Sequence, residues 1–74
     1  MGILGKKVLV LGLSKSGIAA AKLAKKHGAV VYLTEGKDVT SENLYKVEEL
    51  KNLGINVEYG AHSDEFINQA DLVV

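Results

Sequence analysis

Four aliphatic residues in a row, Val8-Leu9-Val10-Leu11, stop at Gly12, and within a few residues the pattern becomes helical. A short apolar run with no polar alternation reads as a strand covered on both faces, as strands are in a parallel sheet. Parallel neighbours need a crossover, and the next segment supplies one. From Ser16 to His27, Ala19, Ala20, Leu23 and Ala24 recur at three- and four-residue spacing, while Lys15, Lys22, Lys25 and Lys26 form the opposite, solvated side. The alanines let such a helix lie close to a sheet. The late lysines suit the negative end of its dipole, and Gly28 stops it.

The alternation continues. Ala29 to Leu33 reads as a second strand, followed by a polar loop, Thr34-Glu35-Gly36-Lys37-Asp38. Thr40 or Ser41 can cap a second helix with Leu44, Val47, Leu50 and Leu53 on its apolar face and a Glu48–Lys51 pair outside. Ile55 to Tyr59 alternates, as at a half-exposed sheet edge. Gly60-Ala61-His62 is a loop, Ser63 can cap a short helix from Asp64, and Leu72-Val73-Val74 begins a fourth buried strand. Strictly alternating units imply parallel pairing through right-handed crossovers. The expected fold is therefore α/β: a three-layer, Rossmann-like parallel sheet of about four strands, order 3-2-1-4, with helices on both faces. Residues 1–74 make one domain, and stopping inside a buried strand reads as the N-terminal piece of something larger.

Composition removes other classes. There is no cysteine, so no disulfide, zinc–thiolate cluster or cysteine nucleophile exists. Nine basic residues, all lysine, balance nine carboxylates, which argues against nucleic acid as the partner. No stretch approaches the ~18 apolar residues of a membrane span, and the N-terminus lacks a signal-peptide core. A cytoplasmic chain is expected.

The chemistry points to Gly12-Leu13-Ser14-Lys15-Ser16-Gly17, which lies where the G-x-G-x-x-G fingerprint belongs. Gly12 permits the tight turn and Gly17 lets helix and strand approach. Ser14 stands at the middle glycine, where a Cβ partly obstructs a pyrophosphate although the hydroxyl can donate. The amides from Ser14 to Gly17 open a helix and form an anion site, with Lys15 and the Ser16 hydroxyl as further donors. A Walker A loop fails because Ile18-Ala19 follow Gly17, and a nucleophile elbow fails because Ser16 is not glycine. No residue is assigned to catalysis or to a metal. Glu35, after the second strand, suits a ribose hydroxyl. Gly36 is expected to adopt a positive φ, Lys37 to reach a phosphate or base edge, and His62 to border the same edge. The alternatives are a plain capped turn and solvated loop residues. A dinucleotide (NAD) site of a dehydrogenase or ligand-sensing module is the rival functional reading.

These segments together resemble the N-terminal domain of Mur ligases of the MurD type. The likeness rests on Lys7 to Leu13, Lys15-Ser16-Gly17, the alanine-rich helix, Glu35-Gly36-Lys37, Leu50 to Ile55, Gly60-Ala61-His62 and Ala70 to Val74. It implies that Ser14 to Gly17 face a diphosphate, that Glu35, Gly36 and Lys37 lie beside uracil and ribose, and that His62 borders the pocket. It further implies a parent enzyme of peptidoglycan synthesis, serving cell shape and division. That parent would join D-glutamate to UDP-N-acetylmuramoyl-L-alanine, using ATP and Mg2+ at a G-T-x-G-K-[ST] loop absent from these residues. The chain alone would bind the uridine diphosphate part, need no cofactor of its own, and meet the remaining ligase domains as partners.

Overall fold

The computed structural model describes residues 2–74. Seven elements alternate: β1 (Lys7–Leu11), α1 (Lys15–Lys26), β2 (Val30–Glu35), α2 (Ser41–Asn52), β3 (Asn56–Tyr59), α3 (Asp64–Asn68) and β4 (Leu72–Val73). All strand pairs are parallel, and the sheet order is β3-β2-β1-β4, as the alternation predicts. Strand order reverses beside β1, and ligands of open α/β sheets bind at the carboxyl ends of strands around such a point.

Two-residue periodicity builds the layers. Val8, Val10, Val31 and Leu33 are buried in one cluster with Ala21, Ala24, Leu50 and Ile55, so α1 and α2 cover that face. Alternate positions serve the other face. Leu9 is opposite Tyr32 in register, and Tyr32 meets Phe66 of α3 edge to face, ring centroids 5.3 Å apart. The T-shaped geometry matches the positive edge and negative face of the rings.

Several local expectations change. Helix α1 starts at Lys15, and its buried stripe is Gly17, Ala21 and Ala24; Ala19 is exposed and Leu23 is 52% exposed. Strand β2 runs on to Glu35, which pairs with Tyr59, so Thr34 and Glu35 belong to the sheet and not to a loop. On α2 only Val47 and Leu50 are buried, because the helix touches the sheet along a narrow stripe; Leu44 and Leu53 stay largely open. The ion pair joins Lys22 to Glu49 across the two helices in place of Glu48 to Lys51. Thr40 is the N-cap of α2 through its carbonyl, without a side-chain bond. Strand β4 is exposed, not buried: Leu72 and Val73 are 45% and 59% exposed, since β4 is the sheet edge and pairs with β1 alone among the described residues. No described helix is long and apolar enough to cross a membrane.

Candidate functional site

The carboxyl ends of β1, β2 and β3 each lead into a loop, and the three loops are tied together by hydrogen bonds. The first turn opens at Gly12, whose φ of 99° is accessible to glycine and strained for other residues. Gly12 N donates to Thr34 O at 2.9 Å, fastening the turn to β2. Ser14 is the N-cap of α1. Its Oγ accepts from Gly17 N at 3.1 Å and lies 3.3 Å from Ser16 Oγ. The Gly17 amide is therefore taken by the cap and is not a free anion donor, a correction to the expected set. Lys15 and Ser16 occupy the first helical turn, where amides have no carbonyl behind them within the helix. A Cβ on Gly17 would collide with the carbonyl oxygen of Gly12, which accounts for glycine there.

Glu35 joins this turn to the second loop. Its Oε1 accepts from Leu13 N at 2.8 Å and its Oε2 from Lys37 N at 3.1 Å. These two amide bonds, Leu13 first, hold its carboxyl below its ordinary 4.5; the charges of Lys37 and His62 add to them, and desolvation opposes. A cleft of about 200 Å³ adjoins it, lined by Leu13, Glu35, Lys37, Val39, Thr40 and Asn43 among others. A second, of about 160 Å³, lies on the other side of the turn against Ser14, Ser16, Gly17 and Val74. A larger concavity, about 440 Å³, lies elsewhere, between α1 and α2, lined by Lys15, Lys22 and Tyr45 among others.

The third loop closes the edge. Gly60 N donates to Lys37 O at 3.0 Å, and His62 Nδ1 lies 2.8 Å from Thr34 Oγ1. Gly36 does not have the positive φ expected of it. Its constraint is steric: a Cβ there would come within 2.8 Å of His62 Nε2. The structure thus brings Ser14, Ser16 and Gly17 to one side of the edge and Glu35, Gly36, Lys37 and His62 to the other, while Lys15 lines the concavity between α1 and α2. Sequence reasoning missed Thr34 and Glu58. Thr34 Oγ1 donates to Glu58 Oε2 at 2.8 Å, and that oxygen also accepts from Ser63 N at 2.9 Å. Burial alone would raise the Glu58 carboxyl, but bonds from Ser63 and Thr34 and the charge of His62 bring it below 4.5. Partners so far apart in the chain leave no local pattern. Among the described residues, no three histidine or acidic side chains gather as a metal site.

A parallel sheet whose first turn opens a helix N-terminus, with an acid at the end of the second strand, defines a Rossmann-like nucleotide-binding domain. Residues 1–74 match the alanine dehydrogenase/PNT C-terminal domain family, and the chain belongs to that family. It is also 53% identical over 70 residues to the UDP-N-acetylmuramoylalanine–D-glutamate ligase of Ligilactobacillus salivarius. Identity is 46% over 70 residues with the ligase of that name from Macrococcus caseolyticus, and 40% over 73 with one from Staphylococcus aureus. These matches cover 95%, 95% and 99% of this chain but 15%, 15% and 16% of the relatives. The resemblance to MurD-type ligases read from the motifs is borne out, and the chain spans only a small part of those relatives' length.

Proposed function

We propose that this chain binds the uridine diphosphate part of UDP-N-acetylmuramoyl-L-alanine, as the nucleotide-holding domain of a cytoplasmic ligase that adds D-glutamate to it. The observation that carries the reading is 53% identity to a ligase so named, over 95% of the chain, with the phosphate turn and acidic loop inside the matched length. On this reading the amides of Lys15 and Ser16 receive the diphosphate, the Lys15 side chain turns to it from the α1–α2 concavity, and the cleft beside Glu35, Gly36 and Lys37 takes uracil and ribose. His62 packs against Gly36 at the same edge. In the larger enzyme, ATP with Mg2+ would phosphorylate the substrate carboxylate, and the amine of D-glutamate would displace phosphate to form the amide. This chain would contribute binding and orientation to that reaction, through the remaining ligase domains.

The family's name favours a second reading, a dinucleotide site of a dehydrogenase. Two features weigh against it. The Ser14 Cβ occupies the position where a dinucleotide fingerprint needs a bare backbone. The relatives of 40–53% identity are named as ligases of UDP-N-acetylmuramoylalanine and not as dehydrogenases. Titration of the labelled chain with UDP, UDP-N-acetylmuramoyl-L-alanine and NAD separates the two. UDP is expected to move the amide resonances of Ser14 to Gly17 and Glu35 to Lys37. A response to NAD with none to UDP would overturn the proposal.

A further inference from the structure

Thr34 is fully buried and polar, and it sits where all three loops meet. Its carbonyl holds Gly12 N, and its hydroxyl lies 2.8 Å from both Glu58 Oε2 and His62 Nδ1. A threonine hydroxyl has a single hydrogen. An ionised carboxylate can only accept, so that hydrogen goes to Glu58, and His62 must donate from Nδ1. The pairing keeps a hydrogen on Nδ1, so the neutral imidazole is its Nδ1–H tautomer, with the Nε2 side against Gly36. Valine has the same shape, suits a strand at least as well and would seal the sheet end without desolvating a hydroxyl. The hydroxyl is accounted for by its two partners, not by packing.

We propose that Thr34 is a positioning residue of the nucleotide site: its hydroxyl, donated to Glu58 and receiving His62 Nδ1–H, orients the imidazole against Gly36 and holds the Gly36–Lys37 backbone in the shape that receives the ligand. The proposal rests on the reading that these loops take a uridine diphosphate. Thr34 itself is sealed from ligand and acts through its neighbours. Gly60, bonded to Lys37 O, and Ser63, bonded to Glu58, make the third loop the support of the second.

The test compares the 15N-labelled chain with Thr34→Val, Thr34→Ser and His62→Ala. Long-range 1H–15N spectra of the imidazole report the tautomer, and UDP titration reports affinity. The unchanged chain and Thr34→Ser should show Nδ1–H and bind UDP alike. Thr34→Val should switch His62 to Nε2–H and weaken UDP by about tenfold, the scale of one lost buried hydrogen bond. His62 is exposed, so its removal leaves the core intact. His62→Ala should weaken UDP comparably and speed hydrogen exchange at the Lys37 and Gly60 amides, and the double variant should be no worse than either alone. A folded Thr34→Val that keeps the tautomer or the affinity overturns the positioning role and leaves the UDP reading standing. Should Thr34→Val fail to fold, a His62→Ala chain with unchanged affinity overturns it equally. No response of the unchanged chain to UDP overturns both, whatever the tautomer.

Discussion

Gly17 is the point at which α1 touches the end of β1, and the contact is backbone against Cα. Any Cβ there meets the Gly12 carbonyl, with Ser14 Oγ 3.2 Å away. Gly17→Val should therefore cost about 1–3 kcal/mol, the range for forcing extra atoms into a packed site. In a domain of this size each kcal/mol lowers Tm by about 4–8 °C, so thermal unfolding reads the effect directly; an unchanged Tm would refute the close approach. Ser14→Ala removes the cap of the same helix and should cost about 1 kcal/mol. The roles of Gly12, Gly17 and the Ser63 cap were legible because each depends on residues nearby in the chain. Gly36 was not, because its constraint is the His62 ring, brought over it by the fold. Glu35 reads from the sequence as a loop residue just past the second strand, whereas it ends β2; its partners are backbone amides of Leu13 and Lys37, and an amide carries no residue-type signature.

Element order and strand pairing were readable because they follow from alternation, which needs only the period of the pattern. The rotational phase of α1 was not. Its apolar positions are mostly alanine, and Ala19, Ala20, Ala21 and Ala24 define several overlapping stripes of similar weight. Tertiary contact decides among them. Gly17 must press on Gly12, and Ala21 and Ala24 then fall on the same side, one and two turns on. Paired substitutions test this phase. Ala21 is fully buried, so Ala21→Leu should destabilise by about 1–3 kcal/mol. Ala19 is exposed, and Ala19→Leu should stay within about 0.5 kcal/mol. Equal losses in denaturant melts would place the stripe elsewhere. The Lys22–Glu49 pair bridges α1 and α2 in the open, and Glu49→Ala should cost less than about 1 kcal/mol, a loss that shrinks further in salt.

At the scale of the whole molecule, two carboxylates hold the three loops against one another. Glu35 ties the first turn to the second loop, and Glu58 ties β2 to the start of α3. Both carboxyls lie below 4.5 in the folded chain. The folded state thus binds these protons less readily than the unfolded chain does. Their contribution is complete above the unfolded value and is lost as pH falls through the folded one. A chain of 74 residues buries only about 60% of its unfolded surface, so its margin is small and a modest loss is measurable. Acid titration of Tm should show stability falling from about pH 5 downward. In the Glu35→Gln, Glu58→Gln double variant the stability near neutral pH should be lower and the acid slope shallower, because a neutral amide has no proton to take up. Acid is expected to open the loops before the sheet, since the buried cluster shared by β1, β2, α1 and α2 contains no titratable group. Amide exchange at Leu13, Lys37 and Ser63 should therefore accelerate at a higher pH than exchange in β1. Loss of protection in loops and strands at one common pH would show instead that the edge and the sheet unfold as a single unit.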